Sequence, residues 1–186
     1  MKGYCRENPL FSLCGLNCGL CPVHHMDKGC PGCGGGEGHQ SCAIVRCSQR
    51  HGCPEYCILC EEFPCEKYET ITECDSFISH RNMLKDLRKA SGGMEEYLAE
   101  LREKVTILRT LLENYNDGRR KTFYCTAVNL LDIRDIRRVM IQILDGTTAG
   151  MSEKEQAEMA VGLLQNAADE CQISLKLRRK KSSKKQ

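Results

Sequence analysis

CPGCGGGEGHQSC, residues 30–42, sets two cysteines two residues apart around Pro31 and Gly32, follows them with glycines and closes on a third cysteine. A two-residue gap lets both thiolates turn toward one ion from a tight loop, and a second pair brought near completes a tetrahedron. Pro31 presets the turn, and the glycines let backbone N–H groups approach sulfur. CxxC pairs also occur at Cys18/Cys21 and Cys57/Cys60. Three pairs with further cysteines between them point to metal.

The rest of the chain sharpens that reading. It has 186 residues and 15 cysteines, of which eleven lie from Cys14 to Cys65. Those 52 positions hold only eleven other apolar residues, so the segment is short of core. Each ordered residue costs roughly 1–2 kcal/mol of backbone entropy, and segments this poor in core rely on disulfides, metals or a partner surface. Disulfides fit an oxidising compartment. The opening MKGYCRENPLFSL lacks the apolar run of a signal peptide, and FSLC mimics a lipobox without one. The expectation is a soluble, cytoplasmic protein with reduced thiols.

Local spacing suggests two sites. Cys30 and Cys33 pair with Cys42 and Cys47 across a short loop, while Cys18 and Cys21 pair with Cys57 and Cys60. Cys14 and Cys65 are left spare or displace one of these. His39 is an alternative ligand, but it reads first as a solvated loop histidine, as do His24, His25 and His51. Cys5, Cys53 and Cys74 look peripheral, and Cys125 and Cys171 are expected to pack as small hydrophobes in helices. Cysteine-only sites suit Zn2+ and a 4Fe–4S cluster alike.

C14-x3-C18-x2-C21 has the cysteine spacing of radical S-adenosylmethionine enzymes, with GGGEG at 34–38. The strand–helix alternation of their barrel does not follow. A thioredoxin-like redox pair needs a strand–helix–strand setting that surrounds none of the three pairs.

CGLNCGLCPVH, CPGCGG, the Cys42/Cys47 pair and CILCEEFPCEKY together resemble the uncharacterised cysteine-rich family known as domain of unknown function 3795, over about residues 12–70. Carried over by position, its motif cysteines are Cys14, Cys18, Cys21, Cys30, Cys33, Cys42, Cys47, Cys57, Cys60 and Cys65. Cys53 stands where that family usually has an aliphatic residue. The resemblance implies a compact, metal-bound module and no particular activity.

After Cys74 the period becomes helical. Phe77, Leu84 and Leu87 share a face that ends at SGG, residues 91–93. Met94, Leu98, Leu101, Val105, Leu108 and Leu112 form a heptad seam. KTFYCTAVNLL continues as a helix, and Asp132 caps the next, with Ile133, Ile136, Met140 and Ile143 as its stripe. Ser152 and Glu155 make a capping box opening a last helix with Ala157, Val161, Leu164 and Ala168.

The fold expected is therefore a small, irregular, metal-stabilised cysteine module at 5–74 and an all-α helical bundle at 75–172. A disordered basic tail follows at 173–186. Removing the seven basic residues of KLRRKKSSKKQ takes the net charge from +2 to −5, which leaves a mildly acidic body. The leading function is a zinc-held interaction module for another protein, with no catalytic constellation in view. The alternatives are an iron–sulfur protein in electron transfer or sulfur chemistry, and nucleic-acid binding through the tail.

Overall fold

The computed structural model describes residues 3–37 and 42–179. His39 and residues 180–186 of the basic tail lie outside the described residues. Among those described there are seven α-helices and no strand, only an isolated bridge between Cys5 and Gly35.

The cysteine-rich part is more regular than its composition suggests. Helices α1 (Ala43–Arg50) and α2 (Glu66–Thr72) lie within it, and 3-10 turns form at Cys18–Leu20 and Cys57–Leu59. Each 3-10 turn carries a CxxC pair: Cys21 N–H donates to Cys18 O at 3.1 Å, and Cys60 N–H to Cys57 O at 3.0 Å. At three residues per turn, side chains at i and i+3 eclipse, so both thiols of such a pair start on one side. The CPGCGG loop is built differently. Gly32 and Gly34 have φ of +94° and +75°, and a Cβ on Gly32 would strike the Pro9 carbonyl.

The bundle follows as α3 (Met83–Gly92), α4 (Met94–Asn114), α5 (Lys121–Leu130), α6 (Ile133–Gly146) and α7 (Glu153–Glu170). Helix α4 packs against α3, α5 and α6, and α7 against α5 and α6. Asp132 caps α6 by accepting from Arg134 N–H. Ser152 and Glu155 complete the capping box of α7.

Three details differ from the periodic reading. Phe77 lies before α3 and is exposed. Val139, rather than Met140, is the buried residue of the α6 stripe. Tyr97, Lys104 and Leu111 are buried on α4 beside Leu101, Val105 and Leu108. The seam is wide because α4 is enclosed by several elements, including the Cys18–Leu20 turn.

That last contact joins the two parts of the chain. Phe11, Leu13 and Leu20 belong to the same buried cluster as Leu87, Tyr97, Val105 and Leu108. Phe11 and Tyr97 pack with ring centroids 4.7 Å apart and planes tilted by 49°. A buried polar cluster pins the seam. Asn17 Nδ2 donates to Asp86 of α3 and, at 3.3 Å, to Asn129 of α5, and Tyr97 of α4 donates to Asn17 Oδ1 at 2.8 Å.

The start of the basic tail is packed rather than loose. Leu175 is buried, and Ile173 N–H donates to Ala168 O at 2.7 Å. Arg178 donates to the Asp75 carboxylate from both its side chain and its backbone, each at 2.8 Å. The fully enclosed Asp75 carboxylate thus draws residues 173–179 onto the body.

Candidate metal centre

Three hydrogen bonds knit the N-terminal loops. Cys33 N–H donates to Pro9 O, Gly19 N–H to Leu10 O, and Cys57 N–H to Leu13 O. Residues 9–13 therefore form a spine against which the CPGC loop and both 3-10 turns are held.

The cysteines collect in groups around that spine. Around Cys14 lie Cys33 and Cys42, and around Cys18 lie Cys14, Cys33 and Cys21. Burial pushes the Cys14 thiol up to about 12, and the neighbouring thiols add to the rise. Burial likewise holds Cys18 well above the usual thiol range. A donor opposes this: Ser12 Oγ lies 3.0 Å from Cys14 Sγ and itself accepts from Leu16 N–H at 2.8 Å. Burial also raises the Cys21 thiol, with Cys30 nearby and the Val23 and His24 amides opposing the rise; the His24 N–H donates to the Cys21 carbonyl at 2.9 Å. Such amides stabilise thiolate. A bound cation reverses the logic of burial altogether, because a coordinating thiol is deprotonated outright.

Charge converges on the same place. The Arg6 side chain is 1% exposed. It donates to Phe11 O and to Glu55 and lies over the Tyr56 ring, yet its Nε has no partner. Burial lowers its pKa, but the neighbouring Cys33 sulfur and Glu55 carboxylate outweigh that and raise it.

A second group lines one small cavity of about 30 Å3, walled by Cys47, Cys57, Cys60 and Cys65 together with Ile44, Ser48, His51 and Tyr68. Ile44, Cys47, Ser48 and His51 stand at i, i+3, i+4 and i+7, one face of α1. Tyr68 adjoins it from α2. Its hydroxyl donates to Cys14 O at 3.2 Å and hydrogen-bonds the Cys57 thiol, which burial raises to about 11. Tyr68 thereby touches both groups, and burial pushes its own pKa up.

These groupings differ from those suggested by spacing along the chain. Cys42 and Cys47 are separated by a helix start: Cys42 is the N-cap of α1, and Cys47 lies about 140° further round. They face different groups. Cys33 adjoins Cys14 and Cys18, and Cys21 lies toward Cys30 and the buried Cys125. Cys5 and Cys53 are exposed and Cys74 is half-buried. Cys171 is exposed at the end of α7, with its thiol toward Asp135 rather than in the core. His24 and His25 turn to backbone carbonyls of Cys30 and Gly19, each at 2.8 Å.

Among the described residues, no three His, Cys, Asp or Glu side chains stand together as a ready-made coordination sphere. The thiols line walls instead of converging on a point. Tyr68 and Arg6 were missed by spacing arguments. Tyr68 had a signal, standing three residues after Cys65 on a helix, whereas Arg6 had none. Comparison with protein families, curated proteins and solved structures found no match for this chain. No helix among the described residues is long and apolar enough to cross a membrane.

Proposed function

We propose that the chain is a metal-binding cysteine protein in which structural zinc holds an irregular surface for another protein, without catalysis of its own. The observation that carries this reading is the gathering of thiols from separate pieces of chain: Cys14, Cys18, Cys33 and Cys42 lie near one another, and Cys47, Cys57, Cys60 and Cys65 wall one cavity. The scarcity of apolar residues along positions 14–65 supports a structural role, since bound metal contributes folding energy outright. Met26 and Leu59 stand exposed in the cysteine-rich part, which favours a partner there. Zinc suits thiolate sets that close a tetrahedron.

The test is elemental analysis with a visible spectrum on protein purified without oxygen from an iron-replete host. The expected result is colourless protein with about two zinc ions per chain. Brown protein containing iron and inorganic sulfide would replace this reading with the iron–sulfur one. Protein that neither retains nor takes up metal would refute both.

A further inference from the structure

We propose that Cys47, Cys57, Cys60 and Cys65 form one four-thiolate zinc site seated between α1 and the start of α2, a ligand set that rests on the metal-binding reading above. All four line a single cavity, although they come from three separate pieces of chain: α1, the Cys57–Leu59 turn with Cys60, and the N-cap of α2. The sequence alone does not bring Cys47 to this group. It arrives there because α1 turns the face carrying Ile44, Cys47, Ser48 and His51 toward the cavity.

Size and chemistry fit one ion. A volume of about 30 Å3 exceeds the roughly 10–15 Å3 that a single water needs, and it is small for a cluster of four irons and four sulfides. The four thiols do not already converge, so binding requires them to swing about χ1 between staggered wells from the walls onto a shared ion. His51 also borders the cavity, but its Nδ1 faces Glu62 at 3.7 Å, so four sulfurs complete the tetrahedron without it. A four-thiolate zinc site is a net anion. Lys67 on the same wall supplies opposing charge. Cys53 lies between Cys47 and Cys57 in sequence yet is exposed and absent from the wall, so it serves as an internal control.

The experiment is pulsed alkylation of the intact wild-type chain with N-ethylmaleimide, zinc-loaded against chelator-treated, read by peptide mass spectrometry. Cys47, Cys57, Cys60 and Cys65 are expected to be protected by zinc and to lose protection together as chelator is raised. Cys53 should label equally in both states. A zinc count on Cys47→Ser and Cys65→Ser adds a second reading, with a loss of one ion per chain expected from each. Wild-type protein that holds zinc while these four label freely, or while Cys47 follows Cys42 instead, would overturn the ligand set and leave the metal-binding reading intact. Wild-type protein that takes up no zinc would overturn both.

Discussion

Asp86 shows how much a single enclosed group contributes. Burial pushes its pKa from an ordinary 3.8 up to about 6, against the pull of Lys104, the Asn17 amide, Lys85 and Lys89. The folded chain therefore holds a proton that the unfolded chain has lost between about pH 4 and pH 6. Stability must fall as pH rises through that window and level off above it, by on the order of 3 kcal/mol. Asp86→Asn keeps an oxygen for Asn17 to donate to and cannot ionise. Urea midpoints measured from pH 4 to pH 7 should show the wild type losing stability over a range where the variant does not. Parallel curves for the two proteins would show that the Asp86 carboxyl titrates as an ordinary one. The neighbouring Lys104 is buried too, its ammonium lowered by desolvation and donating to Leu131 O at 2.7 Å. The cluster is thus satisfied by hydrogen bonds as well as by charge.

At the scale of elements, the helices after residue 83 were legible because apolar stripes and caps repeat over several turns, as at Asp132, Ser152 and Glu155. Helix α1 was not, although Ile44, Cys47, Ser48 and His51 carry a helical period. One turn of apolar spacing flanked by cysteines reads equally well as a loop, and that ambiguity moved Cys47 to a different set of thiols. The start of the tail was hidden for a similar reason. A run of basic residues suggests solvation, and nothing local announces that Asp75, about a hundred positions earlier, accepts from Arg178. Burial would raise the Asp75 carboxyl, but hydrogen bonds from Arg178 and from His80 N–H outweigh it and hold it at about 2. Its contribution is complete above the ordinary value of 3.8 and is lost only as pH falls toward 2. Arg178→Ala leaves that carboxylate enclosed without its guanidinium, at an expected cost of about 2 kcal/mol. The check is a lowered denaturant midpoint at neutral pH with an unchanged m-value. Deleting only residues 180–186 is expected to leave the midpoint where it was. A variant as stable as the wild type would mean that this clasp contributes nothing.

For the whole molecule, the shared core decides what metal removal does. Composition alone separates a module that needs metal from a bundle that does not. In the structure, Phe11, Leu13 and Leu20 are buried in one cluster with Leu87, Tyr97 and Leu108, and Asn17 is tied to α3, α4 and α5. Burying a large apolar side chain is worth about 1.5–3 kcal/mol, so residues 10–20 have an anchor independent of any ion. The segment from Cys21 to Thr72 has less. Among its described residues, only Cys33, Ile44, Val45, Tyr56 and Tyr68 are buried core. Chelation followed by limited proteolysis should therefore cut between about residues 21 and 72, while residues 10–20 remain protected with the bundle. Most of the helical circular dichroism should persist, because α3 to α7 hold the bulk of the helix. Cleavage starting at residues 10–20 would show that the anchor itself depends on metal. Full protection after complete demetallation would mean that thiol packing alone orders the segment, and the structural role of metal would fall with it.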